Sequence, residues 1–91
     1  MPFTVTGRLI CADAAEAALV RDLLPEHVRL TREEPGCEMF EVEELPGTTI
    51  WEVRERFADR AAFEAHQART RDSEWGRRTA AIRREMTTDE A

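Results

Sequence analysis

Glu34-Pro35-Gly36-Cys37, followed by Glu38-Met39-Phe40-Glu41-Val42, divides the chain into two differently patterned halves. Before it, apolar residues recur at helical spacing; after it, they alternate. A residue that precedes proline is driven out of the helical region, so Glu34 is the expected last residue of a helix. Gly36 has the freedom to take whatever backbone angles the reversal needs. Cys37 then opens a strand that pairs, across Leu45-Pro46-Gly47-Thr48, with the run ending at Phe57.

Upstream of that corner, Val20, Leu23, Leu24, His27, Leu30 and Thr31 fall on one helical stripe between Ala14 and Glu33. Asp13 is the expected N-cap, with Glu16 three residues on as in a capping box. Pro25 lies within the stripe and lacks an N–H, which predicts one bent helix, or two short ones broken near Asp22 to Leu24. Further back, Phe3, Val5, Leu9 and Cys11 share one face of a strand, with Gly7 among them. That glycine either leaves room for a ligand or, as the weightier reading, admits a closely packed helix.

Downstream, Trp51, Val53, Glu55 and Phe57 point one way from a strand beginning near Thr48, and Ile50, Glu52, Arg54 and Arg56 point the other. Asp59 caps a helix that places Phe63 and His66 together on its inner face. Thr70-Arg71-Asp72 interrupts the pattern, and Ser73 starts a short third helix carrying Trp75, Thr79 and Ile82. Ile82 to Thr88 reads as a last strand, with a frayed tail at Asp89-Glu90-Ala91. The order β-α-β-β-α-(α)-β is the split βαβ, ferredoxin-like α+β arrangement around an antiparallel sheet. One domain accounts for the whole of residues 1–91, with its core at about 3–87.

The net charge is −6, and all thirteen basic residues are arginine. A net negative chain argues against an electrostatic grip on nucleic acid or an anionic bilayer. No apolar stretch approaches the ~20 residues of a membrane span, and the N-terminus lacks a signal-peptide pattern. Cys11 and Cys37 have no metal-like spacing and are expected to be reduced and packed. These features predict a cytoplasmic protein with neither nucleic-acid nor membrane partners.

No phosphate loop, zinc spacing, nucleophile elbow or dinucleotide fingerprint is present, and neither metal nor cofactor is expected. His66 is therefore the leading polar candidate. It is either a proton acceptor in a cavity between helix and sheet or a half-buried histidine with a structural partner. Glu55, alone in an apolar row, needs a partner, and His66 is the expected one; such a pair would raise the imidazole pKa. His27 follows Pro25 and faces either the cavity or solvent. Phe40, Trp51, Phe57 and Trp75 either wall a pocket for a flat ring or form core. Arg69, Arg71 and the arginines of the last strand are normally solvated, with an anionic ligand as the sharper reading.

Glu34-Pro35-Gly36-Cys37 with Phe40-Glu41-Val42, Glu55-x-Phe57-x-Asp59 and Ala62-Phe63-x-x-His66 together resemble the antibiotic biosynthesis monooxygenase domain, the quinol-monooxygenase-like group. The resemblance implies a dimeric α+β barrel, two sheets face to face, with a pocket between each sheet and its helices. It also implies oxidation of a small aromatic phenol or quinol by dioxygen without metal or flavin. A deprotonated, electron-rich substrate reacts with dioxygen directly, and the protein supplies a base, an oxyanion partner and an apolar cavity. Carried onto this chain, His66 and Glu55 are the catalytic pair. Phe40, Trp51, Phe57, Phe63, Trp75 and His27 line the substrate. The chain contains no tyrosine and no asparagine; Phe40 stands where relatives often carry tyrosine, and Gly7 near the asparagine of the haem-degrading branch. A non-oxidative binding protein or cyclase/isomerase-like helper is the alternative on the same fold.

Overall fold

In the computed structural model, which describes residues 1–90, four strands and three helices follow the expected order. They are β1 (Phe3–Ile10), α1 (Ala14–Arg32), β2 (Cys37–Glu44), β3 (Ile50–Phe57), α2 (Arg60–Asp72), α3 (Glu74–Arg78) and β4 (Arg83–Glu90). The sheet is antiparallel throughout, in the order β2-β3-β1-β4. The chain thus has the α+β ferredoxin-like fold, one face of the sheet carrying the helices.

Local chemistry sets each boundary. Asp13 accepts from the Glu16 amide at 2.9 Å, while the Glu16 carboxylate accepts from the Ala12 amide at 2.7 Å. Two of the amide donors at and before the helix start are thereby satisfied. Pro25 does not divide α1, which continues through it to Arg32 as a single helix. Its buried stripe of Ala17, Val20, Leu23, His27 and Thr31 holds the segment together by tertiary packing. The helix ends two residues before Glu34, with Glu33 as its C-cap, and this frees the Glu34 side chain to turn inward. In α2 Asp59 caps the Ala62 amide at 2.8 Å, and the helix runs on through Thr70-Arg71-Asp72. The break falls instead at Ser73, whose hydroxyl accepts from the Gly76 amide at 3.1 Å; Ile82 lies beyond α3, in the approach to β4. Asp89 and Glu90 are not frayed: they pair with Thr4 and Phe3 in the last strand, and Ala91 lies outside the described residues.

Three glycines do different work. Gly47, at φ 74°, follows Pro46 in the β2–β3 turn, the order a type II turn requires. Gly7 makes no room for a ligand, and the element against it is a strand and not a helix. A Cβ there would lie 2.1 Å from the Glu85 carbonyl oxygen of β4. Gly36 does not use the left-handed region; it is small because α2 crosses it, a Cβ falling 2.3 Å from that of Ala62. Overpacking of this kind costs about 1–3 kcal/mol, so Gly36→Ala should lower unfolding stability by that amount. An unchanged urea midpoint would refute this account of the corner.

Most of the buried apolar residues form two separate clusters, with Phe40 and Val53 in neither. Leu9, Cys11, Val20, Leu23, Trp51 and Ile82 pack beneath α1 and α3, together with Ala17 and Trp75. Phe3, Val5 and Phe57 pack beneath α2, joined by Ala62 and Phe63. Polar side chains occupy the gap between the clusters. Both cysteines are free, Cys11 buried and Cys37 half-buried. Among the described residues no helix is long and apolar enough to cross a membrane. The open face of the sheet carries charges of both signs, including the ion pairs Arg54–Glu41 at 2.7 Å and Arg56–Glu38 at 2.9 Å.

Candidate functional site

The gap is built by three elements. β3 alternates, so Glu55 must point inward between Val53 and Phe57, and its cross-strand neighbours are Val5 and Phe40. From above, α1 delivers His27 and α2 delivers His66, each on the buried stripe of its helix. The imidazoles are 5.8 Å apart between ring centroids, and Phe40 lies within 6 Å of both. Phe57 backs His66 at 5.0 Å.

His66 is 97 % buried, and its hydrogen-bond partner is not the one the sequence suggested. Its Nδ1 lies 2.9 Å from Glu34 Oε1, whereas Nε2 is 4.0 Å from Glu55 Oε1, too far for a hydrogen bond. Glu34 in turn accepts from Arg69 Nε, and Arg69 also donates to Thr31 at 3.0 Å. A carboxylate only accepts, so Nδ1 carries the proton and Nε2 presents its lone pair. Burial lowers the His66 pKa, against the opposing pull of Glu34, and Arg69 lowers it further. The shift is thus opposite to the rise expected for a Glu–His pair, because desolvation of the imidazolium outweighs the carboxylate. His66 is an oriented imidazole whose neutral form is favoured.

Glu55 behaves in the complementary way. Burial, and then the charge of Glu34, raise its pKa to about 7. Near neutrality it is a carboxylic acid for part of the time, able to donate. His27 faces inward, not to solvent: it stacks flat on Trp75, with centroids 4.7 Å apart and planes 5° apart. Burial, reinforced by His66, Arg69 and Arg84, lowers its pKa to about 3. Its Nδ1 is buried without a hydrogen-bond partner.

A cavity of about 260 Å³ opens between sheet and helices, lined by Glu55, His66, His27, Trp75, Phe63 and Arg84 among others. A recess of about 50 Å³ adjoins it, reaching Phe40 and Val42. Met86 and Thr88, exposed residues of β4, lie at its mouth. Of the aromatic residues singled out from sequence, Phe40, Phe63 and Trp75 reach this space. Phe57 does not line it but supports His66 from behind. Trp51 is not there at all: it packs beneath α1 with Leu9 and Val20, and Arg21 lies over its ring.

Two residues at the site have no signal of their own in the sequence: Glu34 reads there only as a helix end, and Arg84 as one of the arginines of the last strand, normally solvated. Arg84 lies on the inward row of β4, opposite Leu9, and donates to the Thr79 and Ile82 carbonyls at 2.8 and 3.0 Å. Partial burial lowers its pKa. Strand parity alone places it inward once its pairing with β1 is known. Arg71 remains exposed. Among the described residues no three His, Cys, Asp or Glu side chains are grouped to hold a metal ion.

A ferredoxin-like sheet with a histidine–carboxylate cavity beneath its helices defines a small α+β pocket protein. Within that class the family model for antibiotic biosynthesis monooxygenases matches residues 2–85, and the chain belongs to that family. Solved structures agree on the fold. The Rv0793 protein of Mycobacterium tuberculosis is 21% identical, with a TM-score of 0.78, covering 100% of this chain and 95% of that one. PA3566 of Pseudomonas aeruginosa is 24% identical, with a TM-score of 0.70 and coverages of 97% and 89%. A Deinococcus radiodurans protein, named provisionally as an antibiotic biosynthesis monooxygenase, is 23% identical, with a TM-score of 0.74 and coverages of 100% and 92%. No curated protein matches the sequence.

Proposed function

We propose that this chain is a cofactor-independent monooxygenase that oxidises a small aromatic phenol or quinol with dioxygen. One observation carries the reading: a neutral His66, fixed through Nδ1 by Glu34, presents Nε2 inside an aromatic-walled cavity opposite Glu55. The 4.0 Å between Nε2 and Glu55 Oε1 is the separation that one bridging oxygen atom, hydrogen-bonded to both, would span. A phenolic oxygen in that place loses its proton to His66, and Glu55 in its acid form donates to the resulting phenolate oxygen.

The electron-rich ring then gives electrons to dioxygen, and a C–O bond forms at a ring carbon. The peroxide oxygen recovers the proton from His66. Loss of the C–H proton with cleavage of the O–O bond leaves a quinone and water. One oxygen atom enters the ring and the other leaves as water, so the substrate supplies every electron. Membership of the family supports this chemistry. A homodimer joined through the open, charged faces of the sheets belongs to the same proposal.

Oxygen consumption by metal-stripped protein, measured with a panel of reduced quinols and phenols, tests it. Uptake should saturate with substrate and exceed autoxidation. Ligand binding seen as Trp75 fluorescence quenching, with no oxygen uptake by any member, would replace the oxygenase with the non-oxidative binding protein.

A further inference from the structure

We infer that Arg84 is an anion-binding residue of the cavity, and that the ligand is an aromatic hydroxy acid whose hydroxyl meets His66 and Glu55 and whose carboxylate meets Arg84. This rests on the reading of the cavity as the ligand site, and it holds whether the ring is oxidised there or only bound. Arg84 belongs to the inward row of β4 and lines both the cavity and its recess. Its Nη1 donates to the Thr79 and Ile82 carbonyls at 2.8 and 3.0 Å, and its Nη2 donates to Thr79 Oγ1 at 2.8 Å. Thr79 and Ile82 are buried and line neither space, so the bonded edge of the guanidinium faces the α3–β4 connection. Nε–H and a second Nη2–H are left without a protein acceptor. These two donors lie side by side, on an edge of the fork that fits a carboxylate through two parallel bonds. β4 is an edge strand and its side chains are exposed, so a ligand can reach them.

Charge points the same way. Among the described residues Arg84 has no carboxylate partner, whereas Arg60 and Arg69 of α2 are paired with Glu90 and Glu34. The other titratable groups around the cavity do not neutralise it. His27 and His66 favour their neutral forms, Glu55 holds its proton up to about pH 7, and Glu34 is engaged by Arg69. The Arg84 charge is itself one of the causes that lower the His27 pKa, as a guanidinium beside the same wall must do. A chain of net charge −6 thus keeps an unpaired cation at its ligand cavity. Partly withdrawn from water, that cation is unfavourable alone, and an anionic ligand offsets the loss. Stapling of the α3–β4 connection accounts for the inner edge of the guanidinium and leaves the outer edge unexplained. A singly charged carboxylate suits the site better than a phosphate dianion, because no second arginine lines the cavity.

Calorimetric titration near pH 6, where Glu55 keeps its proton, tests the inference with two matched pairs of ligands. These are 4-hydroxybenzoate against phenol, and 6-hydroxy-2-naphthoate against 2-naphthol, which set hydroxyl and carboxylate at two different spacings. At least one acid should bind about ten- to a hundredfold more tightly than its phenol, the worth of a charged hydrogen-bonded pair. In Arg84→Gln that preference should disappear. Nitrogen NMR of the wild-type protein gives a second reading that does not depend on a variant folding. The Arg84 Nε–H resonance should move with the preferred acid and not with its phenol. Acids that bind no better than their phenols, a preference that survives in Arg84→Gln, or an unmoved Arg84 resonance would each overturn the assignment. Oxygen uptake with neutral quinols and no preference for the acids would sink this inference alone. A preference for the acids with no oxygen uptake from any substrate would uphold it and sink the oxygenase reading alone.

Discussion

His66→Gln should reduce the rate of oxygen uptake by about 10²- to 10⁴-fold, the usual contribution of a positioned general base. Glutamine approximates the imidazole in size and can still donate an amide N–H to Glu34, so the bond now seen at 2.9 Å has a replacement. What disappears is a neutral nitrogen with a proton affinity suited to a phenol. The substrate should therefore bind with nearly unchanged Kd while kcat falls, which separates loss of a base from loss of a pocket. Because His66 is 97 % buried, the measurement needs the urea midpoint alongside it. A folded variant whose kcat stays within about threefold of wild type would remove His66 from the chemistry, given the size expected of a base.

Much of the fold is legible in the chain because it rests on local patterns. Alternation in Ile50–Phe57, the Asp13 and Asp59 caps and the Pro46-Gly47 turn each point to one structure. The site was legible only as a set of faces. Parity places Trp51, Glu55 and Phe57 on the same side of β3, but not under the same helix. Trp51 lies at the α1 end, Phe57 at the α2 end and Glu55 in the gap between clusters. Distance along a strand, unlike parity, is interpreted only once the helices are docked. The same limit hid Glu34. Its contact with His66 spans 32 residues and depends on α1 ending at Arg32, two residues earlier than proline sterics alone require. The direction of the His66 shift is hidden for a related reason: a sequence pattern can suggest a carboxylate near the imidazole, but not how far the imidazole is desolvated.

Glu55→Gln should stabilise the protein at alkaline pH and leave it unchanged in acid. The folded carboxyl titrates at about 7, raised by burial and by Glu34, against an ordinary value of 4.5. Below about pH 4.5 both the folded and unfolded chains hold the proton, and the residue imposes no electrostatic penalty. Between there and pH 7 the unfolded chain releases its proton while the folded chain keeps it, so stability declines as pH rises. Above pH 7 both forms are ionised and the loss is constant, at roughly 3 kcal/mol for a shift of this size in a side chain 12% exposed. Glutamine resembles the protonated acid at every pH and escapes that loss. Urea midpoints at pH 4 and pH 8.5 should thus show wild type and variant alike in acid and the variant ahead in base. A wild type that matches or exceeds the variant at pH 8.5 would mean that Glu55 ionises at its ordinary pH and cannot donate near neutrality. If the variant instead gains stability while kcat falls, the carboxyl costs folding free energy at alkaline pH and contributes to the chemistry. That opposition is the behaviour expected of a catalytic group held in an apolar row, and not of a structural one.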